Sequence, residues 1–219
     1  QSMSLAKAIN AGLRRALESD PHVMMMGEDI GRLGGVFRVT DGLAKDFGED
    51  RVMDTPLAES GIIGTAVGLA LRGYRPVCEI QFDGFVYPAF DQMVSHMAKL
   101  RNRTAGAVSL PMVVRVPFGG GIGAVEHHSE SREATYAHLP GVKVVIPSTP
   151  RNARALIMAA IRDVPGLVDL KTDYIEGKPE IRVRVDKEKA ALMGLSISWI
   201  FAVFTGISIA QTFLITAIA

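Results

Sequence analysis

Thirty consecutive residues, Ala190 to Ala219, carry no Asp, Glu, Lys or Arg, and they close a chain whose first 163 residues alternate short apolar runs with amphipathic ones. A charge-free run of that length is the mark of a bilayer-spanning helix, since at about 1.5 Å per residue it crosses roughly 30 Å of hydrocarbon. The pattern predicts three pieces: an α/β domain over 1–163, a short charged strand-helix segment over 164–196, and a hydrophobic transmembrane helix over 197–219. The alternative for the last piece is a buried helix of a soluble core, because Gln211 and several Ser and Thr residues dilute its apolar character. Function is therefore sought in 1–163, and the rest is treated as a foreign or fused module.

Charge excludes one class of partner. The 24 basic and 23 acidic residues nearly cancel, so no broad electrostatic footprint points to nucleic acid. The single cysteine, Cys78, rules out an internal disulfide and a thiolate cluster, and its apolar neighbours mark it as a buried, inert thiol. Gln1 to Ala11 lacks a basic segment followed by an apolar one, so 1–163 is expected to work in the cytoplasm, with membrane contact only through 197–219.

Ser4 is placed to cap a helix whose apolar residues Leu5, Ala8, Ile9, Leu13, Ala16 and Leu17 recur at three- and four-residue steps up to Asp20-Pro21. Buried strands are expected at Val23–Met26, Val77–Ile80, Met112–Val116 and Val142–Ile146, each followed by a loop and a helical stretch. Strands separated by helices require crossover connections, hence a mainly parallel sheet flanked by helices, with ligands at the loops beyond the strands' carboxyl ends.

Three loops carry chemistry. Gly27-Glu28-Asp29-Ile30-Gly31 follows the first strand, Asp54 to Glu59 precedes a helix with Gly61, Gly64 and Gly68, and Gly119-Gly120-Gly121-Ile122-Gly123 leads to His127-His128-Ser129-Glu130. None is a phosphate loop, since no Lys-Ser/Thr follows the glycines and no Gly-x-Gly-x-x-Gly opens a helix. Glu59 suits either an N-terminal cap or a proton-transfer group in a dry pocket. His128 suits either an imidazole that meets substrate or a helix start capped by Ser129. Adjacent His127 and His128 make a poor metal pair, because neighbours on an extended strand point opposite ways. Phe82, Phe85, Tyr87 and Phe90 form either an aromatic wall or ordinary core.

These segments, with Ile80-Gln81-Phe82-Asp83-Gly84-Phe85, Tyr87-Pro88-Ala89-Phe90-Asp91-Gln92 and Pro140 to Ser148, stand in an order and spacing that resembles the β subunit of the decarboxylating first component of 2-oxo acid dehydrogenase complexes. The resemblance spans about residues 3–163 and is nearest to the branched-chain (2-oxoisovalerate) type, with pyruvate dehydrogenase as the alternative. It implies a transketolase-like pyrimidine-binding fold and thiamine diphosphate as cofactor. Glu59 matches the glutamate that hydrogen-bonds the aminopyrimidine ring and promotes its imino tautomer, Phe85 the aromatic that packs on that ring, and His128 the loop histidine near substrate and lipoyl group. Glu28 falls among the cofactor-binding positions. Met112, Ala160, Ile161 and Asp163 fall where some members hold a structural potassium ion.

The resemblance also implies partners. Mg²⁺ and the diphosphate need a Gly-Asp-Gly…Asn motif that is absent here and that the family's α subunit supplies; the acyl acceptor is a lipoyl-bearing acyltransferase. The family's second α/β association domain is not found after Asp163. Instead, 164–196 resembles a porter-domain segment of resistance-nodulation-division efflux transporters. The expectation is an incomplete dehydrogenase β subunit that works only with an α subunit, the rival being a non-catalytic, membrane-anchored fusion chain.

Overall fold

In the computed structural model, which describes residues 3–120, 122–124, 126–162 and 212–217, helix α1 (Leu5–Ser19) begins where the sequence predicts. Ser4 is extended, and its hydroxyl accepts from the Lys7 amide at 3.3 Å. Six strands follow along the chain: β1 (Val23–Gly27), β2 (Val52–Asp54), β3 (Arg75–Glu79), β4 (Val113–Pro117), β5 (Val142–Val145) and β6 (Thr212–Ala217). Between them lie α2 (Leu43–Phe47), α3 (Glu59–Leu71), α4 (Leu100–Arg103), α5 (Glu133–Ala137) and α6 (Pro150–Arg162). A tight helical turn, Asp83–Ala89, and a wide one, Gln92–Met97, carry the chain from β3 towards α4.

The strands form one sheet in the order β2-β1-β3-β4-β6-β5. The pairs β1/β2, β1/β3 and β3/β4 are parallel, as the alternation of strands and helices requires. Both faces are covered, which explains why the strands read as continuous apolar runs. Met26, Cys78, Val114 and Ile215 point into one core with Ile63 and Ala66 of α3; Met25, Val77, Val113 and Leu214 point into the other with Leu13 of α1 and Ile157 of α6. Cys78 is buried there, and burial pushes its thiol up to about 12, consistent with an inert packing role. Gly12 lets α1 and α6 approach closely, because a Cβ there would lie 2.3 Å from Ile157 Cγ2.

The end of the chain corrects the sequence reading. Residues 212–217, expected within a transmembrane helix over 197–219, form β6, which lies antiparallel between β4 and β5. Its alternation explains the choice: Leu214 fills one core, while Ile215 and Ala217 fill the other. As a strand, the segment also pairs its backbone on both edges. Among the described residues no helix is long and apolar enough to cross a membrane. The segment 164–196, the rest of the apolar run (197–211) and Asp163 lie outside the described residues.

Candidate active site

The carboxyl ends of β1, β2, β3 and β4 open on one side of the sheet, and the loops there collect most of the residues singled out from sequence. Glu28 follows β1 directly and is buried, yet neither of its carboxylate oxygens has a hydrogen-bond partner among the described residues. Burial pushes its carboxyl up to about 7, and the negative charges of Glu59 and Asp29 add to the shift. Glu59 comes from the loop after β2 and is half-buried. It occupies the first position of α3 rather than the cap, which is Ala58, and no side-chain hydrogen bond closes that helix end. The capping alternative for Glu59 is thereby lost, and the Glu59 charge reaches the buried Glu28 carboxyl.

The floor of this region is fixed by short polar contacts. The Gly31 amide donates to Asp54 Oδ1 at 2.6 Å, Thr40 Oγ1 donates to the Ile30 carbonyl at 2.7 Å, and Gln81 Nε2 donates to Asp29 Oδ2 at 2.9 Å. Asp29 itself is held at a positive φ of 57°, a conformation uncommon outside glycine. Beside these contacts, Glu79 of β3 and Arg115 of β4 stand opposite each other in register and form a buried ion pair: Arg115 Nε donates to Glu79 Oε2 at 3.0 Å and Arg115 Nη2 to Oε1.

The aromatic run splits three ways. Phe82 and Phe85 turn towards His128, with ring centroids 4.3 and 5.1 Å from the imidazole. Phe90 packs towards Tyr136 in the core, and Tyr87 faces outwards, donating to Glu130 Oε2 at 2.7 Å. His128 Nδ1 lies 2.7 Å from the Glu126 carbonyl, which only accepts, so Nδ1 is the donor and Nε2 is left free of that contact. Ser129 is not a helix cap, since α5 begins at Glu133 with Arg132 before it. Among the described residues no three His, Cys, Asp or Glu side chains gather as a metal site. Phe37, whose ring meets the edge of Phe82 at 5.6 Å, joins the cluster without any sequence signal beyond its being aromatic.

The potassium set falls elsewhere. Met112 precedes β4, and Ala160 and Ile161 end α6, all at the opposite end of the sheet. The Ile161 carbonyl accepts from Arg75 Nη1 at 3.2 Å, so a guanidinium already meets one of the expected oxygens.

Known proteins give this arrangement a family. The profile described as "Transketolase, pyrimidine binding domain" matches residues 1–170. The chain is 62% identical over 161 residues to the pyruvate dehydrogenase E1 component subunit beta of Leifsonia xyli subsp. xyli, covering 74% of this chain and 48% of that protein. It is 60% identical over 161 residues to the 3-methyl-2-oxobutanoate dehydrogenase subunit beta of Mycobacterium tuberculosis, covering 74% and 46%. With the pyruvate dehydrogenase E1 component subunit beta of Acholeplasma laidlawii it shares 47% over 203 residues, 90% of this chain and 62% of that one. The chain spans about half the length of the first two relatives. A solved split-gene transketolase, an inactive β4 tetramer, shares the fold at TM-score 0.57 and 18% identity, over 74% of this chain and 49% of that one. On the span of the profile match, the chain belongs to the transketolase pyrimidine-binding domain family.

Proposed function

We propose that this chain holds the pyrimidine half of a thiamine diphosphate site in a 2-oxo acid dehydrogenase, as part of a β subunit that works with an α subunit. The observation that carries the reading is a buried Glu28 with no hydrogen-bond partner among the described residues, under the charge of Glu59, at the end of the sheet whose loops also bring Phe82 and Phe85 against His128. A flat heteroaromatic with ring nitrogens fits such a setting: aromatic faces to pack on, one carboxylate to receive a hydrogen bond and one carboxyl that holds a proton near neutrality. Both kinds of E1 β subunit are among the relatives, and the branched-chain 2-oxo acids are the substrates we favour, with pyruvate as the alternative.

When bound, thiamine diphosphate supplies the electron sink that lets a 2-oxo acid lose carbon dioxide. The chain's own residues do the rest. Glu59 moves a proton at its carboxylate. Glu28, raised by burial and by Glu59, is part-protonated near neutrality and so lessens the negative charge that Glu59 meets. Phe85 presents a face for the ring, and His128 Nε2 is positioned to accept a proton during acyl transfer to a lipoyl group of the acyltransferase. Mg²⁺ and the diphosphate are assigned to the α subunit. A structural potassium ion at Met112, Ala160, Ile161 and Asp163 fits less well, because Arg75 already brings positive charge to the Ile161 carbonyl.

Reconstitution with an α subunit tests the assignment. Glu59→Gln abolishes exchange of the cofactor's C2 proton while the fold stays intact, a loss of about a hundredfold or more. His128→Ala spares decarboxylation and slows acyl transfer; equal loss of both steps removes the transfer role. The 219-residue chain alone binds thiamine diphosphate with Mg²⁺ weakly in calorimetry, and submicromolar binding without an α subunit overturns the divided site.

A further inference from the structure

We propose that Asp83 and Gly84 latch the His128 loop onto the aromatic segment, with Asp83 acting as a positioning residue whose buried carboxyl sets how firmly the histidine is seated. The inference rests on the role given to His128 above. The loop is held by main-chain contacts at two adjacent residues. The Arg132 amide donates to Asp83 Oδ2 at 2.7 Å, and the Gly84 amide donates to the His127 carbonyl at 3.2 Å. Only glycine fits at position 84, because a Cβ there would lie 2.4 Å from that carbonyl oxygen. His128 sits between the two anchor points, and its ring meets Phe82 and Phe85, the residues that flank Asp83 and Gly84. The imidazole therefore keeps its place on the aromatic pair only while both anchors hold.

The other ties lie within the loop or at its rim. The Gly119 amide donates to the Glu130 carbonyl at 2.7 Å, within the loop itself. Tyr87, Glu130 and Arg132 form a rim network with Arg132 stacked 4.2 Å over the Tyr87 ring, but these groups are open to water and screened by it. Asp83 is the buried member, 2% exposed, and its Oδ1 has no hydrogen-bond partner among the described residues. A carboxyl buried with half its acceptors idle is a poor structural anchor and a good adjustable one.

The groups facing it decide the direction of adjustment. Burial pushes the Asp83 carboxyl up to about 6; Glu130 of the loop and Glu133 of α5 push the same way, while the Arg132 amide and guanidinium oppose. Tyr136 of α5 also faces it, its hydroxyl raised chiefly by burial and secondarily by the Asp83 charge. A carboxyl raised from its ordinary 3.8 binds its proton more tightly docked than released. Docking is thus firmest at low pH and loosens as pH rises through about 6. Near neutrality the latch is in its charged, looser form, and the loop is free to lift for a bulky acyl acceptor.

Amide hydrogen exchange on the full 219-residue chain, expressed as protection factors so that the intrinsic pH dependence cancels, tests this without any catalysis. In the wild type, protection at Gly84 and Arg132 falls about tenfold or more between pH 5 and pH 8, and Asp83→Asn abolishes that fall without altering the change that Met25 and Val114 in the core follow with global stability. Asp83→Asn keeps an acceptor without the charge, so its loop protection is high and flat with pH. Asp83→Ala loses loop protection at every pH with the core unchanged. Loop protection in Asp83→Ala equal to wild type, or lost to the same extent in the core, overturns the latch. So does a pH dependence in Asp83→Asn that matches the wild type, a comparison that decides the matter if the alanine variant does not fold. Released loop amides with normal acyl transfer in the reconstituted complex leave the latch standing and remove the role given to His128.

Discussion

Glu28 and Glu79 end neighbouring strands and are buried to the same degree, 3% and 2% exposed, yet their surroundings are opposite. Gly27 pairs in register with Glu79, so Glu28 stands one step further along the same edge of the sheet. Arg115 meets both oxygens of Glu79, whereas Glu28 has only the fields of Glu59 and Asp29 and no donor among the described residues. A buried carboxylate with a guanidinium is part of the framework. One left without a partner marks a candidate for a role outside the framework.

Arg115→Met breaks the comparison most severely, because it strands Glu79 as the second unmatched carboxylate. It should cost about 3–5 kcal/mol of stability in denaturant unfolding, and adding Glu79→Leu should recover most of the loss, since removing both charges is far milder than removing one. If the single and double variants unfold alike, the pair is not what holds these strand ends.

Glu28→Gln sharpens the contrast from the other side. The folded chain holds the Glu28 proton more tightly than the unfolded chain does, so wild-type stability falls as pH rises from about 4.5 to about 7 and stays lower above it. Glutamine removes that loss. The variant should melt higher than wild type at pH 8 and alike at pH 4, as followed by circular dichroism; a gap that persists at pH 4 would mean the amide acts by shape.

The smallest effect tests the link between Glu28 and Glu59. Glu59→Gln removes the second cause of the Glu28 shift and leaves the first, burial, in place. The Glu28 titration, read by carbon NMR of its carboxyl, should move down from about 7 and stop above the ordinary 4.5. No movement would place Glu59 too far away to share a proton.

How much of this was legible in the sequence follows from what each signal depends on. Ser4, the three- and four-residue spacing of α1 and the apolar runs of β1, β3, β4 and β5 are local, and they appear where expected. β2 has only three residues and borrows its identity from β1, so no local pattern marks it. Residues 214–217 are buried on both faces of the sheet, and so short a buried run does not separate strand from helix by period. Glu59, Phe85 and His128 stood out through motif order, but the isolation of Glu28 and the packing of His128 on Phe82 and Phe85 are tertiary facts. Glu28 stands in the same Gly-Glu-Asp motif whether or not a donor reaches it.

The place of β6 bears on the order in which the molecule assembles. Among the described residues β5 joins the sheet only through β6, and Val114 pairs with Ile215 about a hundred positions further along the chain. During synthesis β1 to β4 can pair as they emerge, while β5 must wait for a segment made later than every other described element. Closing so long a loop is slow compared with local pairing. Until that happens β4 presents a bare, apolar edge, the kind of edge to which strands of other chains add. The yield of folded protein should therefore depend on how quickly Thr212–Ala217 is made and finds that edge before a neighbouring molecule does.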